Sequence, residues 1–159
     1  MLLHLPATPK PSPAPDVEPF EYRLLIPHDA RAVQVARTTI RATLIAHGLR
    51  ELIGRTELLA GEMLTNTIVH TTSTAELTLA WSQWGTLRVV VRDACAKTPA
   101  LRATTRPFDS NGRGLRLLQA LADRWGYTPL HRDLHGEETK TVWCEISHRV
   151  PAAWAAAAT

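Results

Sequence analysis

GEMLTNTIVHT, residues 61–71, is the stretch on which the reading of this chain turns. Most of it is apolar enough for a buried helix: Met63, Leu64, Ile68 and Val69 lie within it, and Leu58 and Leu59 lead in. Yet Glu62, Asn66 and His70 recur every fourth residue, so a helix stacks them along one side. That polar line is narrow, with Leu59, Met63 and Val69 as close angular neighbours. A surface helix spreads its charge over a broad solvent face. A carboxylate and a carboxamide held together on an otherwise oily helix call for a chemical use.

Working outward, the helix of this stretch spans roughly 56–70. Before it, Val33, Ala36, Ile40 and Leu44 step by three or four, which predicts an amphipathic helix over 30–47 ending at Gly48. Pro27, His28 and Asp29 form the turn and cap that precede it, after a short strand EYRLLI at 21–26. Downstream, 75–81 and 87–92 read as two strands joined by a turn around Gln83–Gly85. Residues 94–111 contain Pro99 and Pro107 and no clear period, so they read as a long loop, and such loops in compact domains tend to carry function. A third helix runs from Leu115 to about Arg124, with Leu115, Leu118 and Leu121 or Ala122 facing inward and Gly126 stopping it. Strands near 126–130 and 140–147 close the domain. Two adjacent helices followed by hairpins do not suit a doubly wound parallel sheet. They predict an α+β fold, a two-layer sandwich with about three helices on one face of a mixed, mostly antiparallel sheet.

Composition agrees with one domain. The chain has 159 residues, is 45% hydrophobic and carries a formal net charge of +3 with no Lys/Arg run, so a nucleic-acid arm is not expected. Its two cysteines, Cys95 and Cys144, form no CxxC pair, which suits a reducing cytoplasm. No apolar run approaches the ~18 residues a membrane helix needs, and the opening MLLHLP lacks the basic start of a signal peptide. Residues 1–19 hold six prolines and read as an extended tail, 20–148 as the folded domain, and 149–159 as a frayed Ala-rich end.

Three further features fit the Glu62/Asn66 line. LRVVVRD ends a buried-type strand on Asp93; NGRGL, 111–115, places Gly112 and Gly114 at a helix start; KTVW, 140–143, opens the last strand with Thr141. A carboxylate at a strand end can accept a hydrogen bond from the amine of adenine. Glycines at a helix N-terminus let backbone N–H groups approach phosphate. A helix-borne Asn offers Mg²⁺ a hard oxygen, and a Glu one turn away can take the proton of an attacking hydroxyl. Each feature alone has a bland reading: a solvated stripe, a turn, a helix entry, an ordinary strand threonine. Their joint order favours an ATP–Mg²⁺ site.

On these residues the chain resembles the GHKL ATPases, the Bergerat-fold superfamily of gyrase, MutL-type proteins and histidine kinases, over roughly 22–147. It is most similar to the small serine-kinase anti-sigma factors of Gram-positive bacteria and their short actinobacterial relatives. Glu62, Asn66 and His70 match the E-x-x-x-N-x-x-x-H of family N-boxes. GRGL, the following Leu-rich helix and the pair Trp125, Gly126 match the lid side, and Lys140, Thr141, Val142 and Trp143 match the closing G-K-T-V-W. Two departures stand out: Asp93 is followed by Ala94, Cys95, Ala96 and Lys97 where the family has D-x-G-x-G, and Thr139 replaces a glycine.

The resemblance implies Glu62 as general base toward a protein serine or threonine hydroxyl, and Asn66 as the Mg²⁺ ligand. It implies Asp93 as the adenine reader, Gly112, Arg113, Gly114 and Leu115 along the phosphates, and Thr141 as support from the sheet. It implies a sigma factor and an anti-anti-sigma antagonist as partners, with no direct nucleic acid and no membrane, and it leaves room for a homodimer. The function it implies is an ATP-dependent serine/threonine protein kinase of the anti-sigma type. The alternatives are a non-catalytic nucleotide-binding regulator, favoured by the missing glycines, and a detached histidine-kinase catalytic domain, opposed by the lack of a dimerisation helix pair.

HRDLHGEE, 131–138, spells the HRDL of eukaryotic protein kinases, but position 138 is Glu where Asn is required, so it reads as a polar turn. His131 and His135 lack the further ligands zinc needs. The tryptophans at 81, 84, 125 and 143 read as core and sheet-face packing, because no basic stripe accompanies them.

Overall fold

The computed structural model describes residues 15–94 and 113–148, apart from 133, 135 and 137. The elements run β1 (Phe20–Ile26), α1 (Arg31–Ala46), a 3-10 turn (Arg50–Leu52), α2 (Ile53–His70), β2 (Ala75–Trp81), β3 (Thr86–Ala94), α3 (Arg113–Leu121), β4 (Arg124–Arg132) and β5 (Glu138–Ser147). The strands form one sheet in the order β1-β2-β3-β5-β4. The fold is the expected α+β sandwich, and the sheet is more regular than the sequence suggested: all four strand pairings are antiparallel.

Alternation along the strands divides the sheet into two faces. Leu77, Leu79, Trp81, Leu87, Val89, Val91, Val142, Cys144 and Ile146 are buried beneath the helices. α1 contributes Ala32, Ala36, Ile40 and Leu44 to the same core, α2 contributes Leu59, Ala60, Met63 and Leu64, and α3 contributes Leu118 and Leu121. Among the described residues no helix covers the other face.

The helix ends follow local chemistry. Asp29 Oδ1 accepts the Arg31 backbone N–H at 2.8 Å, and hydrogen bonds from the Arg31 side chain and backbone hold the Asp29 carboxyl down to about 2. At the other end of α1, Leu49 N–H donates to Leu44 O at 2.8 Å and Gly48 N–H to Ile45 O at 3.1 Å, with Gly48 at φ 72. That is the Schellman arrangement, and it needs the left-handed residue that glycine supplies. α2 starts at Ile53, earlier than its sequence pattern indicated. Gly54 weakens the local helix signal, but burial of Leu52, Ile53 and Arg55 outweighs propensity.

Two expectations are corrected. The third helix ends at Leu121, and Gly126 lies inside β4 instead of stopping that helix. Gly126 is the cross-strand partner of Trp143, whose ring would sit 2.8 Å from a Cβ at position 126. The Arg88 guanidinium lies over the same ring, 4.6 Å from its centroid. An edge-strand glycine here makes room for an aromatic from the neighbouring strand. Gly126→Ala is therefore expected to destabilise the fold by about 1–3 kcal/mol, the usual cost of overpacking, as chemical denaturation would measure. Trp84 is the second correction: it is 80% exposed at the tip of the β2–β3 hairpin, because the tight turn at Gly85 (φ 76) carries it beyond the sheet. Trp81 is buried, and Trp125 packs against the core.

Candidate functional site

α2 lies on β3 and β5, and one contact within this layer is Met63 Sδ against Cys144 Sγ at 4.0 Å. Burial pushes the Cys144 thiol up to about 12, so it is an unreactive packing group. The opening motif is helical throughout. Asn66 is buried at 6% exposure, Glu62 is half-buried and His70 is exposed at the last turn. The carboxylate and carboxamide thus flank one turn on the side of α2 between its core face and solvent.

Asp93 stands on the helix-facing side of β3 near the strand's end, 1% exposed. Ser73, in the α2–β2 connection, donates its hydroxyl to Asp93 Oδ1 at 2.9 Å. The second oxygen, Oδ2, is buried and accepts no hydrogen bond among the described residues. Burial pushes this carboxyl above the ordinary carboxylate range. The Ser73 hydroxyl, the Lys140 charge, the Thr71 hydroxyl and His28 pull it back. His28 reaches this end of the domain from the β1–α1 turn, donating Nε2 to Ile68 O at 2.8 Å. A buried carboxylate with a vacant acceptor is costly to keep in a core and useful where a donor on a ligand can complete it.

α3 packs on α2 with its C-terminal end at Arg55, whose Nη1 donates to Leu121 O at 3.3 Å. α3 spans nine residues, about 13 Å. Gly112, the preceding loop and the side chains of Arg113 and Leu115 lie outside the described residues.

Thr141 is not brought to this cleft. It is the cross-strand partner of Arg92, and the register puts both on the face away from the helices. The residue that does face Asp93 is Lys140, its direct partner in the β3–β5 ladder, 7% exposed. No role had been assigned to Lys140. Its signal was present: counting back by twos from Ile146, Cys144 and Val142 lands on Lys140. Ser73 and Arg55 were also missed, and both act through contacts distant in sequence.

Among the described residues no three His, Cys, Asp or Glu side chains converge on a metal-sized point, and no helix is long and apolar enough to cross a membrane.

A helix bearing Glu62 and Asn66 thus lies over a sheet that presents the buried Asp93. The chain belongs to the histidine kinase-like ATPase domain family, whose profile matches residues 26–143. Among solved structures it is similar to a chain of the SiaB–SiaC complex from Pseudomonas aeruginosa. The TM-score is 0.56 at 14% identity, over 79% of this chain and 89% of that one. A comparison with curated proteins finds no match.

Proposed function

We propose that this protein binds ATP with Mg²⁺ between α2, α3 and the β3–β5 end of the sheet, and transfers the γ-phosphoryl group to a serine or threonine hydroxyl of a partner protein. The observation that carries the reading is Asp93: a buried carboxylate with one oxygen held by Ser73 and the other left to accept from a ligand, which suits the exocyclic amine of adenine. Asn66 would supply the protein's oxygen to the metal. With no carboxylate cluster among the described residues, most metal ligands would come from phosphate and water, as Mg²⁺ prefers. Bound Mg²⁺ would neutralise charge on the phosphates. Glu62 would accept the proton of the attacking hydroxyl as its oxygen bonds to the γ-phosphorus and ADP leaves. Arg113 and Gly114 at the start of α3 would lie along the phosphates.

The resemblance to anti-sigma serine kinases supports a place in a cytoplasmic partner-switching circuit, with a sigma factor and an antagonist protein as partners, and the likeness to a chain solved in the SiaB–SiaC complex agrees with a protein partner. A second reading, a nucleotide-binding regulator without turnover, is favoured by one observation: both glycines of the family's D-x-G-x-G are absent after Asp93.

Thermal unfolding with and without nucleotide tests the shared core of both readings. ATP with Mg²⁺ is expected to raise the Tm, since a ligand bound only to the folded state at a hundred times its Kd adds about 2.7 kcal/mol. Asp93→Ala is expected to abolish the shift and Asn66→Ala to remove its Mg²⁺ dependence. A melting curve unmoved by millimolar ATP would refute both readings.

A further inference from the structure

Lys140 is a largely buried residue on the helix-facing side of the sheet. It projects from the helix-facing side of β5, directly across the ladder from Asp93, where partnered Cβ atoms stand about 4.5–5.5 Å apart. Only 7% of the residue is exposed. A lysine this enclosed is rarely found unless an opposite charge or a ligand stands near it. Asp93 is the opposite charge across the ladder; its Oδ1 is engaged by Ser73, and its Oδ2 accepts no hydrogen bond among the described residues.

The state of Asp93 decides what the cleft can recognise. As a carboxylate it only accepts hydrogen bonds; once protonated it presents an O–H donor. An acceptor at Oδ2 complements the 6-amino group of adenine and opposes the 6-oxo group of inosine or guanine. A donor there reverses the preference. Burial drives the group toward the protonated form. Against it act first the Ser73 hydroxyl from the α2–β2 connection, then the Lys140 charge from β5, and after these the Thr71 hydroxyl and His28 from the β1–α1 turn. Arg92 is the neighbour on β3, but it is exposed on the opposite face. Glu62 and Asn66 stand on α2 above.

We propose that Lys140 is the positioning residue that selects the purine: its ammonium holds Asp93 as an acceptor, so that an amino-purine nucleotide is taken and an oxo-purine nucleotide refused. The inference rests on the nucleotide reading above and names the residue that gives that site its base preference.

The test is the affinity of the whole chain for ATP and for ITP, each with Mg²⁺, at about pH 6, where a raised carboxyl and an ordinary one differ in charge, and at about pH 8.5, where that difference closes. Wild type is expected to prefer ATP at both values. Lys140→Met is expected to lose that preference at the lower pH, the ATP/ITP ratio narrowing by about tenfold for each unit by which the Asp93 carboxyl stands above that pH, and to recover it at the higher pH. Lys140→Arg keeps the charge and is expected to keep the wild-type ratio. His28→Gln is expected to narrow the ratio less than Lys140→Met does. Should Lys140→Met fail to fold, Lys140→Gln carries the same comparison. A Lys140→Met ratio equal to wild type at both pH values overturns the proposal. So does an equal loss of ATP and ITP at both values, which would make Lys140 a phosphate contact. Wild type that binds neither nucleotide overturns the nucleotide reading itself, a result distinct from either.

Discussion

Glu62→Ala is expected to slow phosphoryl transfer to a partner protein by about 10²–10⁴, the usual worth of a general base, while leaving ATP affinity within a few fold. The two effects separate because the carboxylate acts on the attacking hydroxyl and not on the nucleotide. Glu62 is half-buried on the side of α2, outside the core set of Leu59, Ala60, Met63 and Leu64, so truncation opens no cavity and stability should change by well under ~1 kcal/mol. Glu62→Gln should be as slow as Glu62→Ala, since an amide keeps the shape and loses the base. Asn66→Ala behaves differently, losing turnover together with Mg²⁺-dependent affinity, because the metal bridges the phosphates. The measurement is transfer rate and ATP affinity on the same preparations, with a partner that wild type phosphorylates. Transfer by Glu62→Ala at the wild-type rate would place the base elsewhere. If no partner is ever phosphorylated and ATP nonetheless controls partner capture, the regulator without turnover is the correct reading.

Arg55→Ala is expected to cost about 3–5 kcal/mol of stability, the range seen when one member of a buried charged network is removed. Arg55 is 1% exposed near the start of α2. Its Nη2 donates to Ser147 O at 2.7 Å, its Nη1 to Leu121 O at 3.3 Å, and Nη1 stands 3.8 Å from Asp123 Oδ2. One side chain therefore ties α2 to the end of α3 and the end of β5. Burial pulls its guanidinium down and Asp123 raises it, which marks a charge held by its surroundings. Truncation leaves a side-chain-sized void and removes the donor from both carbonyls, each a separate penalty. Asp123 itself stays engaged through Ser147 N–H and Oγ at 2.6 and 2.7 Å. For a domain of this size the loss corresponds to a Tm lower by about 6–20 °C. Arg55→Met keeps much of the volume and should lose less. A melting point within 2 °C of wild type, roughly the shift from under ~1 kcal/mol, would show that the network contributes nothing net. Because α3 borders the proposed cleft, weaker ATP binding should accompany the loss.

Much of this molecule is legible in local pattern. The steps Ala36, Ile40 and Leu44 found α1, and the spacing of Glu62 and Asn66 placed both on one side of α2, because a helix turns by a fixed amount per residue. The alternation of β2 and β5 marked which residues go inward. The order of elements was enough for the α+β sandwich. Where local pattern and structure differ, the cause is non-local. Nothing in LQALADR forbids helix, yet β4 is pulled into pairing from Arg124 onward by Glu145 and its neighbours on β5. Gly126 has the local character of a stop signal, yet the ring of Trp143 lies against it in the sheet.

The amino-acid sequence by itself determined the chemistry available, a carboxylate and carboxamide on one helix and an aspartate closing a strand, since helical and strand periods are properties of the backbone. Only the tertiary structure decided which of those groups meet. Strand register, set by pairings between residues distant along the chain, turned Thr141 away from the cleft and set Lys140 opposite Asp93. A shift of one residue in that register would exchange the two, because successive side chains on a strand point to opposite faces.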